Sequence, residues 1–126
     1  MKTILVDAND AITVNGQLNI EMYKMLETFP NKKIILTNAS DDQFAKYGLD
    51  KAPYEVYSLR HNPEKLDPNY YKKMLNDYDL IPSDVIYFDH VPEVVISAQS
   101  VGITTYFYDP VIRDIESLKK FIINNI

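Results

Sequence analysis

The chain has no cysteine, which excludes disulfides, thiolate nucleophiles and cysteine-ligated zinc. No apolar run approaches the ~18 to 20 residues of a membrane helix, and the run inside the opening MKTILVDAND is too short for a secretory leader. Basic charge is also short: 13 Lys+Arg stand against 18 Asp+Glu. The cations are scattered rather than gathered on one face or arm, so nucleic-acid phosphate is not an expected partner. No stretch is low-complexity, repeated or linker-like. What is left is a soluble, cytoplasmic protein without a membrane partner. Its 126 residues suit one domain, 1–126, large enough to bury a core.

What is present is an alternation. Short apolar, β-branched runs at 3–6 (TILV), 33–36 (KIIL), 54–59 (YEVYSL), 85–88 (VIYF) and 104–108 (TTYFY) have the length and composition of buried strands. Between them lie helical patterns. Leu18, Met22, Met25, Leu26 and Phe29 share one helical face. Ser40 is placed to cap a helix running to about Tyr47 and ended by Gly48. Pro68 and Pro92 stand in the first turns of helices over 68–78 and 92–101, the second ended by Gly102. A last helix spans about Arg113 to Asn124. Strand and helix alternating along the whole chain predict an α/β fold, a parallel sheet with helices on both faces. In such a sheet the ligand sits beyond the carboxyl ends of the strands.

Several polar residues stand where strands end: Asp7 after the first, Thr37 with Asn38 after the second, Asp89 with His90 after the fourth. Lys65, in KLDP, precedes the third helix. A parallel sheet brings two carboxylates, a hydroxyl and an ammonium to one crevice. A strand-end carboxylate can attack a phosphoryl group and form an aspartyl phosphate, dividing one hard step into two. Phosphoryl transfer then needs mainly positioning and charge neutralisation, from a divalent cation, a fixed cation and a hydroxyl or amide donor. Mg²⁺ prefers oxygen ligands, commonly one or two carboxylates with water and phosphate.

In order and spacing these residues resemble the haloacid dehalogenase superfamily of hydrolases, over roughly residues 3 to 109. ILVDAND resembles the first family motif, with Asp7 in the nucleophile's place. IILTN resembles the second, with Thr37 as phosphate-binding hydroxyl and Asn38 beside it. KLDPNYYKKML resembles the third, with Lys65 as its lysine. VIYFDHVPEVVISAQSVGI resembles the fourth and is the most specific of them, with Asp89 in a metal-binding place. The resemblance implies a Rossmann-like three-layer sandwich on a five-stranded parallel sheet. It further implies Mg²⁺ held by Asp7, Asp89 and the Asn9 carbonyl, and phosphate bound by Thr37, Asn38 and Lys65. Only 29 residues separate Asp7 from Thr37 and 27 separate Thr37 from Lys65, too few for a cap domain. The open site suits a phosphorylated small molecule or macromolecule, or a site covered by a second copy in a homodimer.

The first motif departs from the family. Its phosphatases carry a second Asp two residues after the nucleophile as general acid and base; here that residue is Asn9. An amide neither donates nor accepts a proton at neutral pH, so acid–base help of about 10²- to 10⁴-fold is missing unless another group supplies it. Asp10, one residue on, would have to reach the leaving group from a different turn geometry. Two readings therefore stay open. One is a Mg²⁺-dependent phosphatase or phosphoryl transferase with reduced or specialised activity, acting on acyl or aryl phosphates whose leaving group needs no proton. The other is a catalytically degraded binding or interaction protein that kept the fold.

The remaining polar residues read more plainly. His90 has the near-neutral pKa of a ligand or acid–base group but is expected at the rim, and Glu93 at the start of a helix whose amino end it stabilises. His61 lies in SLRHNPEKLDPNYY, the longest loop candidate, and long loops in compact domains are often functional. The ten tyrosines read as packing. Receiver domains of two-component signalling are of similar size, but their phosphorylated Asp ends the third strand, where YEVYSLRHNP has none.

Overall fold

The computed structural model describes all 126 residues. Five parallel strands form the central sheet: β1 (Thr3–Asp7), β4 (Lys33–Thr37), β5 (Glu55–Ser58), β6 (Val85–Asp89) and β7 (Thr104–Phe107), in the spatial order β5-β4-β1-β6-β7. Chain order thus runs outward from β1 to one edge, returns, and runs to the other. That reversal is the topological switch point at which doubly wound sheets open a ligand crevice. The three inner strands are buried throughout, as expected where helices cover both faces.

Alternation along the strands sends side chains to two cores. Ile4, Val6, Ile35, Ile86 and Phe88 pack with α1 (Ile20–Leu26) and α5 (Ile115–Asn125). Leu5, Ile34, Leu36 and Tyr87 pack with α3 (Pro68–Asp77) and α4 (Pro92–Ser100). Pro68 and Pro92 each occupy the first turn of their helix, where the missing N–H costs no hydrogen bond. No additional domain is inserted between the strands, and no helix is long and apolar enough to cross a membrane.

Two predicted elements are shorter than their patterns. The helix anticipated from Leu18 begins at Ile20 because Asn19 caps it, its side chain accepting the Met22 N–H at 3.3 Å. Leu18 instead belongs to an antiparallel hairpin, β2 (Thr13–Val14) with β3 (Gln17–Leu18). Its turn is Asn15-Gly16 with φ of 53° and 75°, the positive pair that a two-residue hairpin turn needs. The helix expected over 40–47 is regular only as α2 (Asp41–Phe44) and continues irregularly, Tyr47 N–H donating to Gln43 O at 3.0 Å. Gly48 follows at φ 72°, and a Cβ there would stand 2.4 Å from Gly16 O. The hairpin turn therefore rests directly on the end of this segment, which requires glycine there.

Candidate active site

β1, β4 and β6 all end at the same edge of the sheet, so Asp7, Thr37 and Asp89 arrive together by register alone: Asp7 pairs with Leu36, and Val6 with Phe88. All three are buried, as is Lys65. The lysine comes from the loop between β5 and α3. That loop is held at its inner end by Asn38, whose Oδ1 accepts the Lys65 N–H at 2.7 Å, and by Tyr71, whose hydroxyl donates to Lys65 O at 2.8 Å.

Lys65 Nζ lies between the two carboxylates, 2.9 Å from Asp7 Oδ1 and 2.7 Å from Asp89 Oδ2, and 3.2 Å from Leu36 O. Asp7 Oδ1 also accepts its neighbour Ala8 N–H at 2.8 Å. Asp7 Oδ2 accepts the backbone N–H of His90 at 3.1 Å and faces its ring Nδ1. An ionised carboxylate only accepts, so Nδ1 carries the proton. Asp89 Oδ1 accepts the Val91 N–H at 2.9 Å, and Asp89 Oδ2 accepts from the Tyr87 hydroxyl.

The charges adjust to this packing. Burial alone would raise the Asp7 pKa, but Lys65 and His90 outweigh it and hold the carboxyl at about 2. Burial and the neighbouring Asp7 charge push Asp89 upward. Burial works against the Lys65 ammonium, yet the two carboxylates keep its pKa above the ordinary lysine value. His90 is raised by its hydrogen bond to Asp7, against an opposing effect of burial. Two buried anions thus face one fixed cation and one that the site favours protonating, the pairing that buried charges require.

Above this floor opens a cavity of about 230 Å³. It is lined by all six residues assigned from the sequence: Asp7, Asn9, Thr37, Asn38, Lys65 and Asp89. Asn9 presents an amide, not an acid, to it. Thr37 Oγ1 accepts the Ala39 N–H at 3.1 Å and keeps its proton for a ligand. With its Oδ1 on Lys65, Asn38 likewise keeps its amide N–H groups. Asp10 is not part of the lining. Its φ of 66° turns it toward His90, Oδ2 lying 3.7 Å from Nε2.

Two readings change. His90 is not a rim residue: its side chain is only 22% exposed and stands against Asp7. Asp7, Asp89 and His90 can each offer a metal-ligand atom, all within 4.8 Å of one another. Three tyrosines do more than pack. Besides Tyr71 on Lys65 and Tyr87 on Asp89, the Tyr70 hydroxyl donates to Thr37 O at 2.9 Å. One signal for Tyr87 was available, because residues two apart on a strand share a face and Tyr87 precedes Asp89 by two. Glu93 is exposed in the first turn of α4, outside the site.

No family model matches the sequence, and no curated protein matches it. Solved structures do. A haloacid dehalogenase family enzyme of Bacteroides thetaiotaomicron, an aspartate-to-alanine mutant in complex with magnesium and inorganic phosphate, superposes with a TM-score of 0.55 at 17% identity, over 72% of this chain and 53% of its own. A protein of Thermotoga maritima described as a β-phosphoglucomutase superposes at 0.51 with 21% identity, over 70% of this chain and 44% of its own. The chain thus spans about half the length of the structures it matches and shares their fold.

Proposed function

We propose that this chain, which has the haloacid dehalogenase fold, catalyses phosphoryl transfer to water through an aspartyl phosphate at Asp7. The observation that carries this reading is the buried Asp7–Lys65–Asp89 bridge at the floor of an open, donor-lined cavity. A carboxylate kept ionised at the carboxyl end of the first strand, under hydroxyl, amide and ammonium donors, has the features that nucleophilic attack on phosphorus needs.

The donor set fits a divalent cation: two carboxylates at the floor, with the Asn9 carbonyl as a third oxygen, suit Mg²⁺. Bound there, Mg²⁺ would neutralise charge on the transferring phosphoryl group. The chain's own residues do the rest. Thr37, Asn38 and Lys65 hold the phosphoryl oxygens. The Asp7 carboxylate forms a bond to phosphorus as the phosphorus–oxygen bond to the leaving group breaks, and the leaving group departs with that electron pair. Water then attacks phosphorus and Asp7 leaves again as carboxylate, the water's proton passing to solvent in the open cavity. Asn9 assists neither proton movement, which favours leaving groups that need no proton and makes the second step slow.

The degraded-protein reading keeps one specific support: both Asp7 oxygens are already engaged, Oδ2 by His90. The two readings separate on phosphate release from acyl and aryl phosphates with and without Mg²⁺. The enzyme reading expects Mg²⁺-dependent release that Asp7→Asn abolishes, and identical wild-type and Asp7→Asn behaviour across the panel would sink it. A second copy covering the open side is tested by measuring the mass in solution.

A further inference from the structure

The floor of the cavity accounts for the phosphoryl group, but not for the apolar part of its lining. Five of the lining residues are apolar: Ala8, Ala39, Tyr47, Val91 and Val94. Tyr47 is half-buried at the end of the α2 segment, and its ring is the one large apolar surface in the lining. It packs against the core cluster that includes Ile4, Val6 and Ala8, and the hairpin turn rests on the neighbouring Gly48. Gln43, one helical turn earlier, is held as well. Its Oε1 accepts the Ser40 N–H at 2.9 Å and meets His61 Nε2 at 2.9 Å.

Lys65 is the only lysine or arginine in the lining, so no second fixed cation is there for a second phosphate. Arg60 Nε is 2.7 Å from Asp41, His61 Nδ1 is 3.1 Å from Glu64, and Lys46 stands over the Tyr47 ring at 5.6 Å without lining the cavity. The volume, about 230 Å³, falls below the roughly 300–1,000 Å³ of pockets that enclose drug-sized ligands. That space holds a phosphoryl group and one ring, and the cavity is open beyond them.

The missing acid points the same way by a separate route. A phenol ionises near pH 10, about, whereas an alkanol is no stronger an acid than water, about 16. Without a proton donor at position 9, a phenolate leaves far more readily than an alkoxide. The absent acid admits carboxylate and phenolate leaving groups alike, and of the two the Tyr47 ring in the lining favours the phenolate.

We infer that the substrate is an aryl phosphate, a monoester whose aromatic ring lies against Tyr47 while its phosphoryl group sits over Asp7. The inference rests on the phosphoryl-transfer reading above. It makes Tyr47 a specificity residue: it touches the leaving group, not the reacting phosphorus.

The test compares 4-nitrophenyl phosphate with acetyl phosphate, an activated acyl phosphate that has no ring, both in the presence of Mg²⁺. Tyr47→Ala is expected to lower the aryl-to-acyl ratio of kcat/KM by about tenfold, the low end of what one apolar contact discriminates, and Tyr47→Phe to preserve it. A ratio unchanged in Tyr47→Ala overturns the aryl assignment while phosphoryl transfer stands. Wild type that hydrolyses neither compound overturns the function and the substrate class together. If Tyr47→Ala does not fold, the wild type answers alone. Phenylphosphonate should inhibit acetyl phosphate turnover at least about tenfold more tightly than methylphosphonate, and equal inhibition overturns the assignment.

Discussion

The floor and the mouth of one cavity are built on opposite principles. At the floor, Asp7, Lys65 and Asp89 are buried at strand ends or beside them, and both oxygens of each carboxylate have partners within the protein. Toward the mouth, Arg60 pairs with Asp41 and the His61 ring meets Glu64, and these side chains are 44–76% exposed. The same charge types occur in both places. Their energetic weight differs because removing one partner at the floor strands a charge away from water, whereas at the mouth water replaces it.

The most severe way to break the contrast is Asp7→Asn, which removes the carboxylate proposed as nucleophile. Phosphate release should fall to background in a discontinuous phosphate assay, and residual turnover equal to wild type would exclude Asp7. Asn9→Asp tests whether the floor lacks only its acid. Turnover should rise by about 10²- to 10⁴-fold, and no gain in steady-state kinetics would show that the defect lies elsewhere.

Lys65→Met leaves two buried carboxylates facing each other. Urea unfolding should show a loss of about 3–5 kcal/mol; a loss below about 1 kcal/mol would mean that water reaches the cluster. Tyr87→Phe deletes one hydrogen bond to Asp89 without changing packing volume, and should cost about 1.5–3 kcal/mol in the same measurement.

Stability should also depend on pH through His90. Its folded pKa is raised by Asp7, so its contribution is fully present below the unfolded value of about 6.5 and is lost as pH rises through the folded value. Unfolding at about pH 6 and about pH 9 should therefore show a decline in the wild type that His90→Asn lacks; matching slopes would rule His90 out as its source. Least affected is the mouth. Arg60→Ala should change stability by less than about 0.5 kcal/mol, and a larger loss would mean that the loop carrying Lys65 is clamped from outside.

Much of the fold was legible because periodicity is local. Five apolar, β-branched runs separated by helical spacing located all five strands of the sheet within a residue or two of their ends. The three inner ones are apolar because they are buried on both faces, the two edge strands because β-branched and aromatic residues suit a half-buried strand. The hairpin over residues 13–18 escaped although Asn15-Gly16 signals such a turn. Its strands have two residues each, too few for an alternating pattern. α2 fell short of Tyr47 for a tertiary reason, the contact between Gly48 and the hairpin turn.

The site divides along a similar line. Asp7, Thr37 and Asp89 were readable as neighbours because strand order and the parallel register force strand-end residues to one edge, wherever they stand in the chain. Lys65, on a loop, was read from its resemblance to the family's third motif. Whether a side chain at that edge turns inward or outward depends on neighbours distant in sequence, and no local pattern records those. His90 was expected at the rim and lies against Asp7, 83 positions away. Tyr70, Tyr71 and Tyr87 read as packing and instead aim their hydroxyls at Thr37, Lys65 and Asp89. Asn9 was visible from the start as a missing acid. Only the tertiary structure brings Tyr47 into the lining of the same cavity, because that lining joins segments 38 positions apart in the chain.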